Sequence, residues 1–416
     1  MRVWLVQGGE PLAIDPGSPR LMRYSMLAAE LAHRGHEVVW WTSAFDHYRK
    51  QMRGVARQSV SVGGNEYEIV TLRALGYRAH VSLRRMLDQW WTGRDLRRQS
   101  RRERSPDVIC CGLPTLELAM ASRALGRRHG CPVVLDIRDL WPDIFTDVVP
   151  ERLRPLAKPI LGPMERMANR SCESAAAIIG ITDEFVQWGV DRAGRDRTDR
   201  DLTVPLACVR PETGIVESAF WEGIGIDLER PIVAFAGSFN RNFDFTPVLD
   251  CAREWFSQES DVQFVLCGTG PHLEGVRDMA QGLSNVTLPG WVEAPQLASL
   301  LQSATVGIAP YEPSSSFLAS IPNKVIEYLS HGLPVICSLE QGVAGRLIVN
   351  QRCGVTYSPK AKDSVAAALH SVMDDVRSGA SMASEAKRVF AENFDSREVY
   401  GRLASLLEEL SVSSAR

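Results

Sequence analysis

Asn323, Lys324, Glu327 and His331 lie close together in the stretch SIPNKVIEYLSHGLPVI, residues 320–336. At about 100° per residue they share one arc of roughly 100° on a helix, with Val325, Ile326 and Leu329 on the opposite side. Pro322 suits the first helical turn and Gly332 a C-terminal cap. A helix N-terminus offers free N–H groups and a positive dipole end, which together favour phosphate. Lys324 in that first turn opposes the dipole, a placement that makes sense with an anion nearby. The alternative is a merely solvated polar face. Two further stretches have glycines where a backbone could approach a ligand. AGSFNRNFD (236–244) holds Gly237, Ser238 and Arg241, whose guanidinium can clamp phosphate oxygens in pairs. CGTGPHLEGV (267–276) holds Gly268 and Gly270, but Leu273 stands at the third position of a GxGxxG pattern, so a dinucleotide reading falls.

The elements that must position these residues alternate between short apolar runs and helical patterns. In the first half the expected strands are 3–7, 37–43, 67–72, 107–112, 132–139 and 176–182, with a helix over 20–35. The polar segment DRAGRDRTDRD (191–201) suits a mobile loop or a domain junction. The alternation restarts with strands over 231–237, 262–268, 286–292, 306–311 and 334–338, and residues 395–410 form one amphipathic helix. Strand, crossover helix, strand is the unit of a parallel sheet. The expectation is an α/β chain of two Rossmann-like, doubly wound domains facing each other across a cleft, with ligand-facing loops at the strand C-termini. The N-terminal domain spans 1–204, joined by the helix 393–416, and the C-terminal domain spans 205–392. A length of 416 residues agrees with two domains. The net charge of −3 gives no global reason for a nucleic-acid partner. Nine cysteines without a CxxC pair suggest neither a zinc site nor a disulfide framework, and fit a reducing cytoplasm. The N-terminus reads as a strand rather than a signal peptide, and nothing is long and apolar enough to span a membrane.

RGHEVVWWTS, FAGSFNR, LCGTGP, LPGWVEAPQLASLLQSATVGIAPY and PNKVIEYLSHGLPVI occur in an order and spacing that resemble the family-four retaining glycosyltransferases of GT-B fold. Bacterial members of that family build surface polysaccharides. The resemblance implies a C-terminal domain that binds a nucleotide sugar, with UDP as the family's usual carrier. It places Glu327 on the ribose hydroxyls, Arg241 on the diphosphate, and Trp291-Val292 at the base. Asn242 falls where the family has a second basic residue, so Lys324 becomes the candidate for the missing charge. Ala319 stands where many members carry a glutamate that contacts the donor sugar, which points to a deoxy or N-acetylamino sugar. The implied mechanism is transfer with retention, the leaving diphosphate being stabilised by Arg241, Lys324 and helix N-termini. No metal or other cofactor is expected.

The first half should hold the acceptor. Gly8 and Gly9, in the loop VQGGEPLAIDPGSPR (6–20), match a flexible family loop that meets the donor phosphate. LDIRDLWPD (135–143) resembles the RDLWP signature of polysaccharide transferases; Asp139 is the candidate acceptor-side residue, and an Asp–Arg pair stabilising the loop is the structural alternative. Residues 77–104 hold nine arginines against three acids, with Leu83, Met86, Leu87, Trp90 and Trp91 on one helical side. Such a stretch reads as a contact with the inner-membrane surface, where a lipid-linked saccharide acceptor would sit; a domain-packing helix is the alternative. The expected protein is a cytoplasmic glycosyltransferase, peripherally attached to the inner membrane. A sugar-nucleotide 2-epimerase of the same fold and a nucleotide-sugar-binding subunit without catalysis are the competing readings.

Overall fold

The computed structural model describes residues 1–17, 20–79, 82–147, 154–212, 214, 217–379 and 381–413. The chain divides into two compact units, one of residues 1–205 with the segment from Ser396 onward, the other Leu206–Asp395.

The first unit is built on a seven-stranded sheet of β1 (Arg2–Val6), β2 (Glu37–Ser43), β5 (Arg57–Val62), β6 (Asn65–Leu72), β7 (Val108–Leu113), β8 (Val133–Ile137) and β9 (Ala177–Gly180). Its order is β5-β6-β2-β1-β7-β8-β9, with a separate short ladder between β3 (Phe45–Asp46) and β4 (Gln51–Met52). Every residue of β1, β7, β8 and β9 is buried, as expected for parallel strands covered on both faces. The edge strand β5 pairs antiparallel with β6 and was not expected from its polar sequence. Its signal was Gly63-Gly64, whose positive φ angles of 57° and 82° make the tight hairpin. Beneath the sheet's C-terminal edge, Arg23 holds Asp136 by two hydrogen bonds of 2.8 and 2.9 Å and donates to the carbonyls of Val204 and Pro205. Helix Ser396–Ser413 packs against helix Arg23–His33 within this unit.

The second unit carries β10 (Ile232–Ala236), β11 (Gln263–Cys267), β12 (Val286–Gly290), β13 (Val306–Ala309), β14 (Val335–Cys337) and β15 (Gly354–Thr356), all parallel in the order β12-β11-β10-β13-β14-β15. Alternate residues of β10 feed two apolar cores, Ala234 and Ala236 on one face and Val233 and Phe235 on the other. The chain winds outward from β10 to β12 and returns to β13 beside β10, so the order reverses between those two strands. Loops diverge there and leave room for a ligand.

The segment 191–201 is neither a mobile loop nor the junction. The division falls after Pro205, and Asp201 is buried, accepting from the backbone N–H groups of Ile178 and Thr198 and pairing with Arg195 at 2.6 Å. Burial pushes this carboxyl up, but the Arg195 and N–H bonds outweigh it and bring its pKa from 3.8 to about 2. A depressed value stabilises the fold above the ordinary carboxylate range, and the effect is lost as pH falls towards about 2. Asp201→Asn is therefore expected to cost about 2 kcal/mol at neutral pH in urea unfolding, with the gap to wild type closing between about pH 4 and pH 2.

Candidate functional site

In the second unit the edge at the β10–β13 reversal gathers several of the expected residues. Helix Asn323–Ser330 buries Val325, Ile326, Tyr328 and Leu329, while Asn323 is exposed and Lys324 and Glu327 are half-buried. Pro322 is its N-cap residue, one position before the first turn, and Gly332 follows the helix with φ 73°. Tyr328 donates from its hydroxyl to the Ile308 carbonyl at 3.1 Å, which ties the helix to β13.

Lys324 reaches from this helix back to the end of β10. Its ammonium donates to the Ala236 carbonyl and sits 4.6 Å from the Phe235 ring centre and 5.2 Å from that of Phe243. Two aromatic faces and a carbonyl fix the position of a cation that the helix dipole alone would repel. Gly237 makes the arrangement possible, because a Cβ there would overlap Nζ and lie 2.7 Å from Cε. The positive charge thus stands at the end of the central strand, directly under the first residue of its loop.

The remaining residues divide. Ser238 is exposed beside Gly237, and Arg241 is exposed further along the same loop. Gly268 and Gly270 need a different account from the expected approach of a nucleotide. A Cβ on Gly268 would overlap the Gly237 carbonyl, and one on Gly270 would lie 2.7 Å from Phe239 N. These glycines let the loop after β11 nest against the loop after β10, an arrangement held by the bonds Gly237 N to Cys267 O and Phe239 N to Thr269 O. Trp291 is 71% exposed beyond β12, whereas the Val292 side chain is part of the core and has only its backbone to offer a ligand. His331 Nδ1 lies 2.9 Å from the Glu327 carbonyl, so the helix end uses that face of the ring.

In the first unit, Gly9 and Asp139 line one cavity of about 320 Å³ at the β1–β7 reversal. The described part of the loop after β1 is tied down at Glu10 and Asp15. Glu10 accepts from Tyr24 N and pairs with Arg138, and Asp15 pairs with Arg53 at 2.7 Å; Ser18 and Pro19 lie outside the described residues. Of the acidic residues in 135–143, Asp136 belongs to Arg23, and Asp143 to Trp188 and Arg192, so these are structural pairs. Asp139 is different: it lines the cavity, and burial raises its carboxyl pKa despite the Leu140 N–H bond at 3.0 Å. The other walls include Tyr77, Trp141, Arg85 and the His47–Tyr77 hydroxyl contact of 2.6 Å. Trp141 and Arg138 were visible within RDLWP, and Tyr77 and Arg85 stand in the stretch 77–104, which was read only as a surface contact; His47 comes from a separate segment and was missed.

Residues 230–375 match the family described as Glycosyl transferases group 1, and residues 22–202 match the Glycosyl transferase 4-like domain. The chain belongs to the group 1 glycosyltransferases. It is 22% identical over 269 residues to an alpha-D-kanosaminyltransferase of Streptomyces kanamyceticus, covering 61% of this chain and 66% of that one. An alpha-maltose-1-phosphate synthase of Mycolicibacterium smegmatis is 29% identical over 198 residues, 41% of this chain and 49% of its own length. The matches thus span about half to two-thirds of these relatives. Among solved structures, a sucrose-phosphate synthase from Thermosynechococcus elongatus superposes with a TM-score of 0.68 at 14% identity, covering 99% of both chains. Anabaena HepE, solved with UDP and glucose, gives 0.63 at 16% identity over 98% of this chain and 100% of its own. The fold of this glycosyltransferase is accordingly GT-B, with two Rossmann-like α/β domains.

The contact between Gly237 and Lys324 is directly measurable. Gly237→Ala should destabilise the protein by about 1–3 kcal/mol through overpacking. In a Lys324→Ala background at least half of that cost should disappear, leaving the strain of φ 157° on an alanine. Equal costs in both backgrounds, read by urea unfolding, would show that the lysine does not occupy the space.

Proposed function

We propose that this glycosyltransferase moves a sugar from a nucleoside diphosphate to a lipid-linked saccharide acceptor, with retention at the anomeric carbon. The carrying observation is the Lys324 ammonium held at the end of β10 by Ala236, Phe235 and Phe243. A fixed cation at a strand-order reversal suits a diphosphate, whose charge grows as the sugar departs. Arg241, exposed on the same loop, supplies a forked donor for the phosphate oxygens, and Gly237 and Ser238 offer backbone and hydroxyl contacts. Glu327, one turn beyond Lys324, accepts from the ribose hydroxyls, with Asn323 beside it and Trp291 near the base. UDP is the carrier supported by the HepE structure with UDP and glucose. Ala319 in place of a carboxylate favours a donor sugar with fewer hydroxyls, a deoxy or N-acetylamino sugar.

The acceptor is assigned to the cavity of the first unit. Asp139 has a raised pKa, which suits a group that exchanges a proton with an acceptor hydroxyl. No covalent nucleophile is invoked, and no metal: the acceptor oxygen forms its bond to the anomeric carbon on the face from which the diphosphate leaves. The product belongs to bacterial cell-surface polysaccharide or lipopolysaccharide synthesis, made at the cytoplasmic side of the inner membrane. Support for membrane attachment is the helix Leu83–Gln99, where Leu83 is 78%, Leu87 58% and Trp90 53% exposed. Of the stretch 77–104, His80 and Val81 lie outside the described residues. Among the described residues, no helix is long and apolar enough to cross a membrane.

Glu327→Ala is expected to weaken UDP binding by tenfold or more while thermal stability changes little, as measured by titration calorimetry and melting. Unchanged affinity would contradict the ribose contact. Binding to anionic vesicles should fall with added salt and be lost when Trp90 and Trp91 are both replaced by alanine. Sedimentation with vesicles that ignores both changes would count against the membrane reading.

A further inference from the structure

The helix Leu83–Gln99 is built inside out. Asp88 and Asp95 are buried, Asp88 accepting the N–H groups of Leu75 and Gly76 at 2.6 and 2.8 Å and Asp95 that of Arg73 at 2.8 Å. These carboxylates turn the polar side of the helix inward and leave the apolar side outward. The outward stripe follows 83, 86, 87, 90, 91, 94, 97, 98 and 101, a spacing of three and four residues along one face. Its chemistry changes midway, from leucine, methionine and tryptophan up to Trp91 to arginine at 94, 97, 98 and, in the following 3-10 turn, 101.

The arginine half forms a groove of about 510 Å³ lined by Trp90, Arg94, Arg97, Arg98 and Arg101, with no acidic residue in its walls. Arg94 stands 5.8 Å above the Trp90 ring. Three nearby arginines are paired with acids: Arg2 with Glu37 and Glu103, Arg57 with Glu68 and Glu103, and Arg104 with Glu37. Among the described residues none of the four groove arginines makes such a pair. Four guanidiniums on one exposed face make a concentrated positive patch, open to an anion from solvent.

We propose that this groove is a headgroup site for phosphate-bearing anionic lipids, and that it works together with the apolar half of the same stripe. The inference deepens the membrane attachment proposed above and rests on it. A bilayer is the partner that places a layer of phosphates directly beside a layer of hydrocarbon, in the order in which this stripe changes along its axis. Nucleic acid offers the phosphates without the hydrocarbon. Arginine forks hold phosphate oxygens in pairs, so the groove fixes the helix against the headgroups while Leu83, Met86 and Leu87 enter the apolar layer. The inward side of the helix contributes Arg85, Asp88, Gln89 and Thr92 to the 320 Å³ cavity. Bilayer and acceptor cavity are then separated by one helix, about 10 Å thick.

The test uses the full chain and phosphatidylcholine vesicles with or without phosphatidylglycerol. A basic residue at such a surface contributes roughly fivefold in affinity, so Arg94→Gln with Arg98→Gln should weaken binding to phosphatidylglycerol vesicles by about 20- to 30-fold. Replacement of all four by Gln should abolish the preference over pure phosphatidylcholine, with the melting temperature unchanged because the side chains are on the surface. Binding that keeps its preference without the four arginines, yet is lost in the Trp90/Trp91 variant, would overturn the headgroup site and leave membrane attachment standing. No vesicle binding by the wild type would overturn both. A single-stranded RNA oligonucleotide that binds the wild type more tightly than the vesicles do, and loses that binding in the fourfold variant, would reassign the groove.

Discussion

A full positive charge held at the C-terminal end of a parallel strand is the constraint around which the second domain is arranged. The Lys324 ammonium reaches the Ala236 carbonyl only because residue 237 has no side chain, because Phe235 and Phe243 offer ring faces, and because Tyr328 anchors the helix that delivers it. The same loop that passes over the lysine is nested against the loop after β11 through Gly268 and Gly270. Gly237 therefore brings backbone and cation together, while Gly268 and Gly270 bring the two loops together. Any affinity for a diphosphate follows from the charge being fixed before the ligand arrives, so that little reorganisation is needed.

The helix periodicity of residues 323–330 and the apolar strand runs were readable because each depends on spacing within one segment. The buried stripe of Val325, Ile326 and Leu329 emerges from period alone, and so does the outward stripe of Leu83, Met86, Leu87, Trp90 and Trp91. What period does not decide is which side faces inward. For helix Leu83–Gln99 that was settled by Asp88 and Asp95 accepting the N–H groups of Leu75, Gly76 and Arg73, a fold-back onto the loop before the helix that helical period does not encode. The partners of Lys324 and the meeting of the first domain's cavity walls were illegible because they converge from segments far apart in the chain.

Charge in the first domain shows how misleading local clustering can be. Asp136, Arg138, Asp139 and Asp143 stand almost together in sequence, yet three of them are committed to Arg23, Glu10 and Arg192, and only Asp139 lines the cavity without such an ion pair among the described contacts. Segment 191–201 gives the same lesson in reverse. Its run of arginines and aspartates has the composition of a loose linker, but Asp201 organises it around a buried carboxylate. Composition describes how a segment meets water in isolation; one well-placed acid is enough to reverse that.

The outward ridge of helix Leu83–Gln99 has a consequence for the protein in bulk solution. Several large apolar side chains exposed on one straight face are tolerable against a membrane but costly in plain buffer. A net charge of only −3 supplies little long-range repulsion to keep molecules apart. On the membrane attachment proposed above, two such ridges shielding one another in detergent-free buffer give a concentration-dependent dimer that marks the missing lipid rather than a native quaternary state.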